Sequence, residues 1–78
     1  MIKVKIYTTP SCTWCKRTKD FFKEHNVEYE EFNVASDAKA RQEIVQKSGQ
    51  LGVPVTVIGN NVIVGFDENA IKSALGIK

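Results

Sequence analysis

The sequence predicts an α/β protein whose elements run βαβαββα in one domain over residues 1–78. Three observations carry this reading. The chain has 78 residues, which suffices for one modest core. A strand pattern of period two gives way to a helical pattern before residue 26. Two short β-branched runs flank Gly59-Asn60-Asn61 and are followed by a capped amphipathic helix. With 42% apolar and 26% charged residues, the composition is that of an ordinary soluble domain that folds without a cofactor.

Each element follows from its residues. Ile2, Val4 and Ile6 alternate with Lys3, Lys5 and Tyr7, giving a first strand with one apolar face. The loop Thr8-Thr9-Pro10-Ser11 leads to a helix over residues 13–25, where Trp14, Thr18, Phe21, Phe22 and His25 recur at helical spacing. Asn26 can stop it, and residues 28–34 carry Tyr29, Phe32 and Val34 as a second strand, completing a βαβ unit. Ser36 or Asp37 caps a second helix with the apolar stripe Ala40, Ile44 and Val45, ended by Gly49. Residues 53–58 and 62–64 read as two antiparallel strands joined at Gly59-Asn60-Asn61. Asp67 caps a third helix carrying Ala70, Ile71, Ala74 and Leu75 on one face. Phe66 and Ile71 are spaced as a hydrophobic staple, and Gly76 ends the helix.

Charge and hydropathy narrow the function classes. Eleven Lys and Arg are spread along the chain against nine acids, a net charge of +2, without the concentrated basic patch that nucleic-acid binding requires. No apolar run reaches the length of a membrane span, and the start of the sequence alternates like a strand and has no signal-peptide core. A cytoplasmic monomer is expected, with neither nucleic acid nor membrane as partner.

The two cysteines, Cys12 and Cys15, sit three apart. A disulfide closing so short a loop removes little entropy from the unfolded chain, so the pair points to chemistry more than to stapling. Two thiolates and the single His25 do not complete a tetrahedral zinc site, and no metal is expected. Cys12 falls where a strand-following loop meets a helix start, a place whose free N–H groups and dipole lower a thiol pKa. Cys15, one turn further on, can reach Cys12 from a deeper position, the arrangement of an attacking and a resolving thiol.

The segment Tyr7-Thr8-Thr9-Pro10-Ser11-Cys12-Thr13-Trp14-Cys15-Lys16 resembles the active-site segment of the glutaredoxin family, and Gly52-Val53-Pro54 resembles its Thr-Val-Pro segment. Ser48-Gly49 and Gly65-Phe66-Asp67 fall at the family's relative positions, so the match spans the chain. The resemblance implies a thioredoxin-like fold with a four-stranded mixed sheet and three helices. It implies Cys12 as nucleophile, Cys15 as resolving thiol and Pro54 as a cis-proline beside them. It further implies that Val53 offers backbone groups to a substrate, that Asp67 binds a substrate amine while capping its helix, and that Arg41 meets a glutathione carboxylate. The implied function is dithiol reduction of disulfide-containing proteins or small disulfides, with glutathione or a flavoprotein reductase as electron donor and no bound cofactor.

Three departures from the family pattern bear on the donor. Thr9 stands where a lysine is frequent, Thr13-Trp14 replaces Pro-Tyr between the cysteines, and Val64-Gly65 replaces Gly-Gly. Val64-Gly65-Phe66-Asp67 is closer to the redoxins that feed ribonucleotide reductase and draw electrons from a thioredoxin-reductase-like flavoprotein. Trp14 is expected at the surface as a partner contact together with Phe66. Lys16, Arg17, Lys19 and Lys23 read as a solvated helix face, and His25 as a helix-end residue.

Other readings of the cysteine pair are two buried structural thiols and a metal or iron–sulfur carrier. Small copper-binding domains also place a CxxC after their first strand, but their order is βαββαβ. The present chain ends on a capped helix and carries Val53-Pro54.

Overall fold

The computed structural model describes residues 3–50 and 52–76. Its elements are β1 (Val4–Thr8), α1 (Thr13–Glu24), β2 (Glu30–Asn33), α2 (Ala38–Ser48), β3 (Val55–Ile58), β4 (Asn61–Val64) and α3 (Glu68–Leu75). The expected order is observed; Ile2 of the first strand pattern lies outside the described residues. The strands are ordered β2-β1-β3-β4. β1 runs parallel to β2, with Tyr7 opposite Phe32, and antiparallel to β3, with Tyr7 opposite Val55. β3 and β4 form the hairpin, with Ile58 opposite Asn61.

Alternation along the strands divides the core in two. On one face Val4, Ile6, Ile58 and Ile63 pack with Phe21 and Phe22 of α1 and Ile71 of α3. On the other Tyr7, Val55 and Val57 pack with Val34 and with Ala40 and Ile44 of α2. The sheet therefore has α1 and α3 on one side and α2 on the other.

This two-sided cover corrects one reading of the first strand. Tyr7, grouped by the alternation with Lys3 and Lys5, is fully buried. Its ring stacks on Phe32 at 5.3 Å, and its hydroxyl donates to Glu43 of α2 at 3.0 Å. Alternation assigns residues to faces without saying whether the second face is covered. Val45 is corrected in the opposite sense, since it is 41% exposed. The inward face of α2 is the narrow Ala40 and Ile44 stripe, and Val45 is turned away from it.

Helix ends fall close to their sequence signals. α1 ends one residue before His25, which is its C-cap, and Asn26 follows with φ 56°. The His25 ring lies 4.2 Å from that of Phe21, and its Nδ1 is 3.0 Å from the Phe21 carbonyl oxygen. Asp37 caps α2 and Asp67 caps α3, each carboxylate accepting a backbone N–H three residues on at 3.1 Å. Phe66 and Ile71 share the α1/α3 core, as a staple requires. β2 and β3 are shorter than their apolar runs. Glu28 and Tyr29 precede the paired residues of β2, and Val53 and Pro54 precede those of β3. The hairpin turns on Gly59 and Asn60 alone, with positive φ confined to Gly59 (59°), the glycine-first arrangement of a two-residue turn.

Burial, reinforced by the hydrogen bond to Glu43 and its negative charge, pushes the Tyr7 phenol from its ordinary 10.0 up to about 12. The folded chain thus holds this proton more tightly than the unfolded chain. The associated stability is complete below pH 10 and is lost as the pH rises toward 12. Urea unfolding across this range should show that decline in the native sequence, and Tyr7→Phe should remove this contribution to it.

Candidate active site

The dithiol is positioned by the end of β1. Thr8 is buried, and the loop beyond it folds back so that the Cys12 N–H donates to the Thr9 carbonyl at 3.3 Å. Cys12 then takes the N-cap position of α1 with φ −88° and ψ 111°. Its Sγ accepts the Cys15 N–H at 3.0 Å, the bond a capping oxygen would ordinarily accept. Cys12 is partly exposed, whereas Cys15 is 1% exposed. The two form a disulfide across a Cα separation of 5.2 Å. One sulfur at the surface and one beneath it, on a helix start that favours negative charge, can attack an external disulfide and then close on itself.

Further contacts fix the first turns of α1. Thr18, fully buried, donates its hydroxyl to the Trp14 carbonyl at 2.8 Å. Lys19 pairs with Glu31 of β2 at 2.9 Å, and the Thr8 hydroxyl donates to the same carboxylate oxygen at 2.8 Å. The Lys19 hydrogen bond is the chief reason that the Glu31 carboxyl lies below its usual range, although burial opposes it. The sequence reading missed Glu31 and Glu43. Glu31 left a trace, because it lies two residues after Tyr29 on a face that packs against α1.

The Val53-Pro54 bond is cis, and Pro54 is fully buried. Because Tyr7 pairs with Val55, Pro54 lies level with Thr8, at the sheet end from which the chain departs for Cys12. The Gly65 N–H donates to the Pro54 carbonyl at 2.8 Å, bringing Phe66 and Asp67 to the same end. The Phe66 ring meets those of Trp14 at 6.2 Å and Phe21 at 6.0 Å. Trp14 is 54% exposed, with the Arg17 guanidinium 5.0 Å from its ring centroid.

Cys12, Cys15, Trp14, Phe66, Pro54 and Thr9 are thus gathered at one end of the sheet. Asp67 stands beside them as an exposed helix cap. Val53 is half-buried against the α2-side core. Arg41 is exposed near the start of α2, which follows the same end of the sheet, and lines a shallow groove with Ala38, Gln42, Val45 and Gln46. Among the described residues no group of three or more His, Cys, Asp and Glu side chains is placed to hold a metal ion.

A mixed sheet flanked by three helices, with a CxxC pair at the start of α1 and a cis-proline level with it, defines the thioredoxin-like class. The glutaredoxin family model matches residues 4–63. The chain is 48% identical over 72 residues to an uncharacterized glutaredoxin-like 8.6 kDa protein in the rubredoxin operon of Clostridium pasteurianum, covering 92% of this chain and 96% of that one. It is 32% identical over 76 residues to glutaredoxin 3 of Escherichia coli K12, covering 97% and 92%. The NrdH-redoxin structure from Escherichia coli superposes with a TM-score of 0.80 at 27% identity, covering 91% of this chain and 92% of that one. The chain belongs to the glutaredoxin family, whose general activity is thiol–disulfide exchange.

The difference in burial gives a direct test of the sulfur geometry. After reduction, a brief pulse of iodoacetamide analysed by peptide mass spectrometry should label Cys12 at least about tenfold faster than Cys15. The labelling midpoint of Cys12 should fall below the ordinary thiol value of about 8.5, as its N-cap position dictates.

Proposed function

We propose that the protein is a cytoplasmic, monomeric dithiol electron carrier that reduces protein or small-molecule disulfides, receiving its own electrons from a thioredoxin-reductase-like flavoprotein in preference to glutathione. The observation that carries the dithiol reading is the Cys12 sulfur in the N-cap position, accepting the Cys15 N–H while Cys15 itself is buried. The Cys12 thiolate attacks a substrate sulfur, forming a mixed disulfide and releasing one substrate thiolate. Cys15, as thiolate, attacks Cys12 Sγ. The Cys12–Cys15 bond forms, and the second substrate sulfur leaves with the electron pair. Two electrons from the donor return the pair to dithiol.

In this reading Val53 presents its backbone to an extended substrate segment beside Pro54. Trp14 and Phe66 form the partner contact, a use that the exposure of Trp14 supports. Thr9 in place of a lysine removes one charged contact to glutathione, and Val64 narrows the site. Arg41 and Asp67, both exposed, remain to hold the two ends of the tripeptide, so glutathione is disfavoured and not excluded.

Steady-state reduction of one disulfide substrate, driven either by glutathione with its reductase or by thioredoxin reductase, tests the donor. Turnover should be faster with the flavoprotein. Thr9→Lys should raise the glutathione rate by about tenfold, the size of one charge-assisted contact. Equal or faster turnover with glutathione in the native sequence would overturn the preference. For the dithiol roles, Cys15→Ser should accumulate a mixed disulfide on Cys12, and Cys12→Ser should form none there.

A further inference from the structure

We propose that Thr56 is a positioning residue for the dithiol, its hydroxyl held in the core to donate a hydrogen bond to the Cys15 thiolate, directly or through one water, once the pair is reduced. The proposal rests on the reading of Cys15 as the resolving thiol. Thr56 is fully buried in β3, and its Oγ1 is the one buried side-chain N or O atom without a hydrogen-bond partner among the described residues. An unpaired buried hydroxyl is destabilising, and valine would fill the same volume without that cost. The neighbouring core positions Ile6, Ile58 and Ile63 are apolar.

The register places this hydroxyl under α1. Thr56 is opposite Ile6 and Ile63, both in the core cluster that receives Phe21 and Phe22. It is two residues beyond Pro54, on the same sheet face and one row further from the open end. Cys15 and Thr18 are the buried residues of the first turns of α1. Thr18 has committed its hydroxyl proton to the Trp14 carbonyl, and Thr8 has committed its own to Glu31. Thr56 is left as the buried hydroxyl with a free proton to donate.

Its isolation fits the redox state described. In the disulfide, Cys15 carries no charge and needs no donor. During resolution Cys15 loses its proton to solvent while its side chain stays buried, where a thiolate is costly without a hydrogen bond. Thr56 takes no proton. It lowers the energy of the thiolate that attacks Cys12.

Stopped-flow reaction of the reduced protein with excess 5,5′-dithiobis(2-nitrobenzoate) separates the steps. The first release of thionitrobenzoate reports attack by Cys12, and the second reports closure by Cys15. Thr56→Val should leave the first phase unchanged and raise the thermal midpoint. It should move the pH midpoint of the second phase upward by about one unit and slow that phase about three- to fourfold at neutral pH, since the rarer thiolate is also the more nucleophilic. Thr56→Ser, which keeps the hydroxyl and loses a methyl group, should lower the midpoint and keep the second phase within about twofold of native. A second phase in Thr56→Val that matches native across the pH range would overturn the proposal. So would a Thr56→Ser variant as slow as Thr56→Val, because packing would then be the cause. A native protein that releases thionitrobenzoate without a second phase attributable to Cys15 would instead remove the resolving role on which the proposal rests, and the proposal with it.

Discussion

Each of the three helices begins with a side chain turned back to accept the N–H of the third residue on. The backbone angles at Cys12, Asp37 and Asp67 are alike, with φ between −114° and −88° and ψ between 94° and 111°. In α2 and α3 the accepting atom is a carboxylate oxygen at 3.1 Å, and in α1 it is sulfur at 3.0 Å. A capping position favours a negatively charged acceptor. Placing cysteine there makes the requirement for a stable helix start and the requirement for a reactive thiolate the same requirement. The cap also fixes Cys15, because the bond it accepts belongs to that residue. The separation between the two sulfurs and the greater depth of the second follow from one turn of helix.

Such a cap is useful only if α1 is held still against the sheet. Phe21 and Phe22 supply the apolar part, and the Thr8, Glu31 and Lys19 contacts tie the helix to both parallel strands. A single surface ion pair would contribute little, but Glu31 also receives a hydroxyl from the buried end of β1. On the opposite face Tyr7 fastens α2 through Glu43. β1 therefore anchors a helix through a polar contact on each side, besides carrying the loop that delivers Cys12. Like β3, it is paired on both edges.

The residues that could be read from sequence are those whose signal is local. Period-two and period-3.6 patterns, Asp at helix starts and Gly at helix ends gave the element order and the caps. The CxxC spacing after a strand located the dithiol. The cis geometry at Pro54 came from resemblance and from no local signal, since an isolated Val-Pro favours the trans form. What stayed hidden required knowing which elements meet. Tyr7 and Glu43 are 36 positions apart, and nothing near either residue announces the pair. Val45 looked like core because it is apolar and follows Ile44, but the width of the buried stripe depends on how α2 lies on the sheet. Thr56 reads as an ordinary β-branched strand residue, and only its neighbours show that its hydroxyl is stranded.

The position of Trp14 has an optical consequence. It is the chain's only tryptophan, and it lies between the two cysteines in the sequence, half in solvent, with Arg17 on its ring and Phe66 beside it. All indole emission from this molecule therefore originates at the redox end, with no background from the core. Disulfide sulfur close to an indole quenches it, and an arriving protein surface changes its polarity. The unlabelled chain thus carries a chromophore that registers both its oxidation state and the approach of a partner, at the point where the two events coincide.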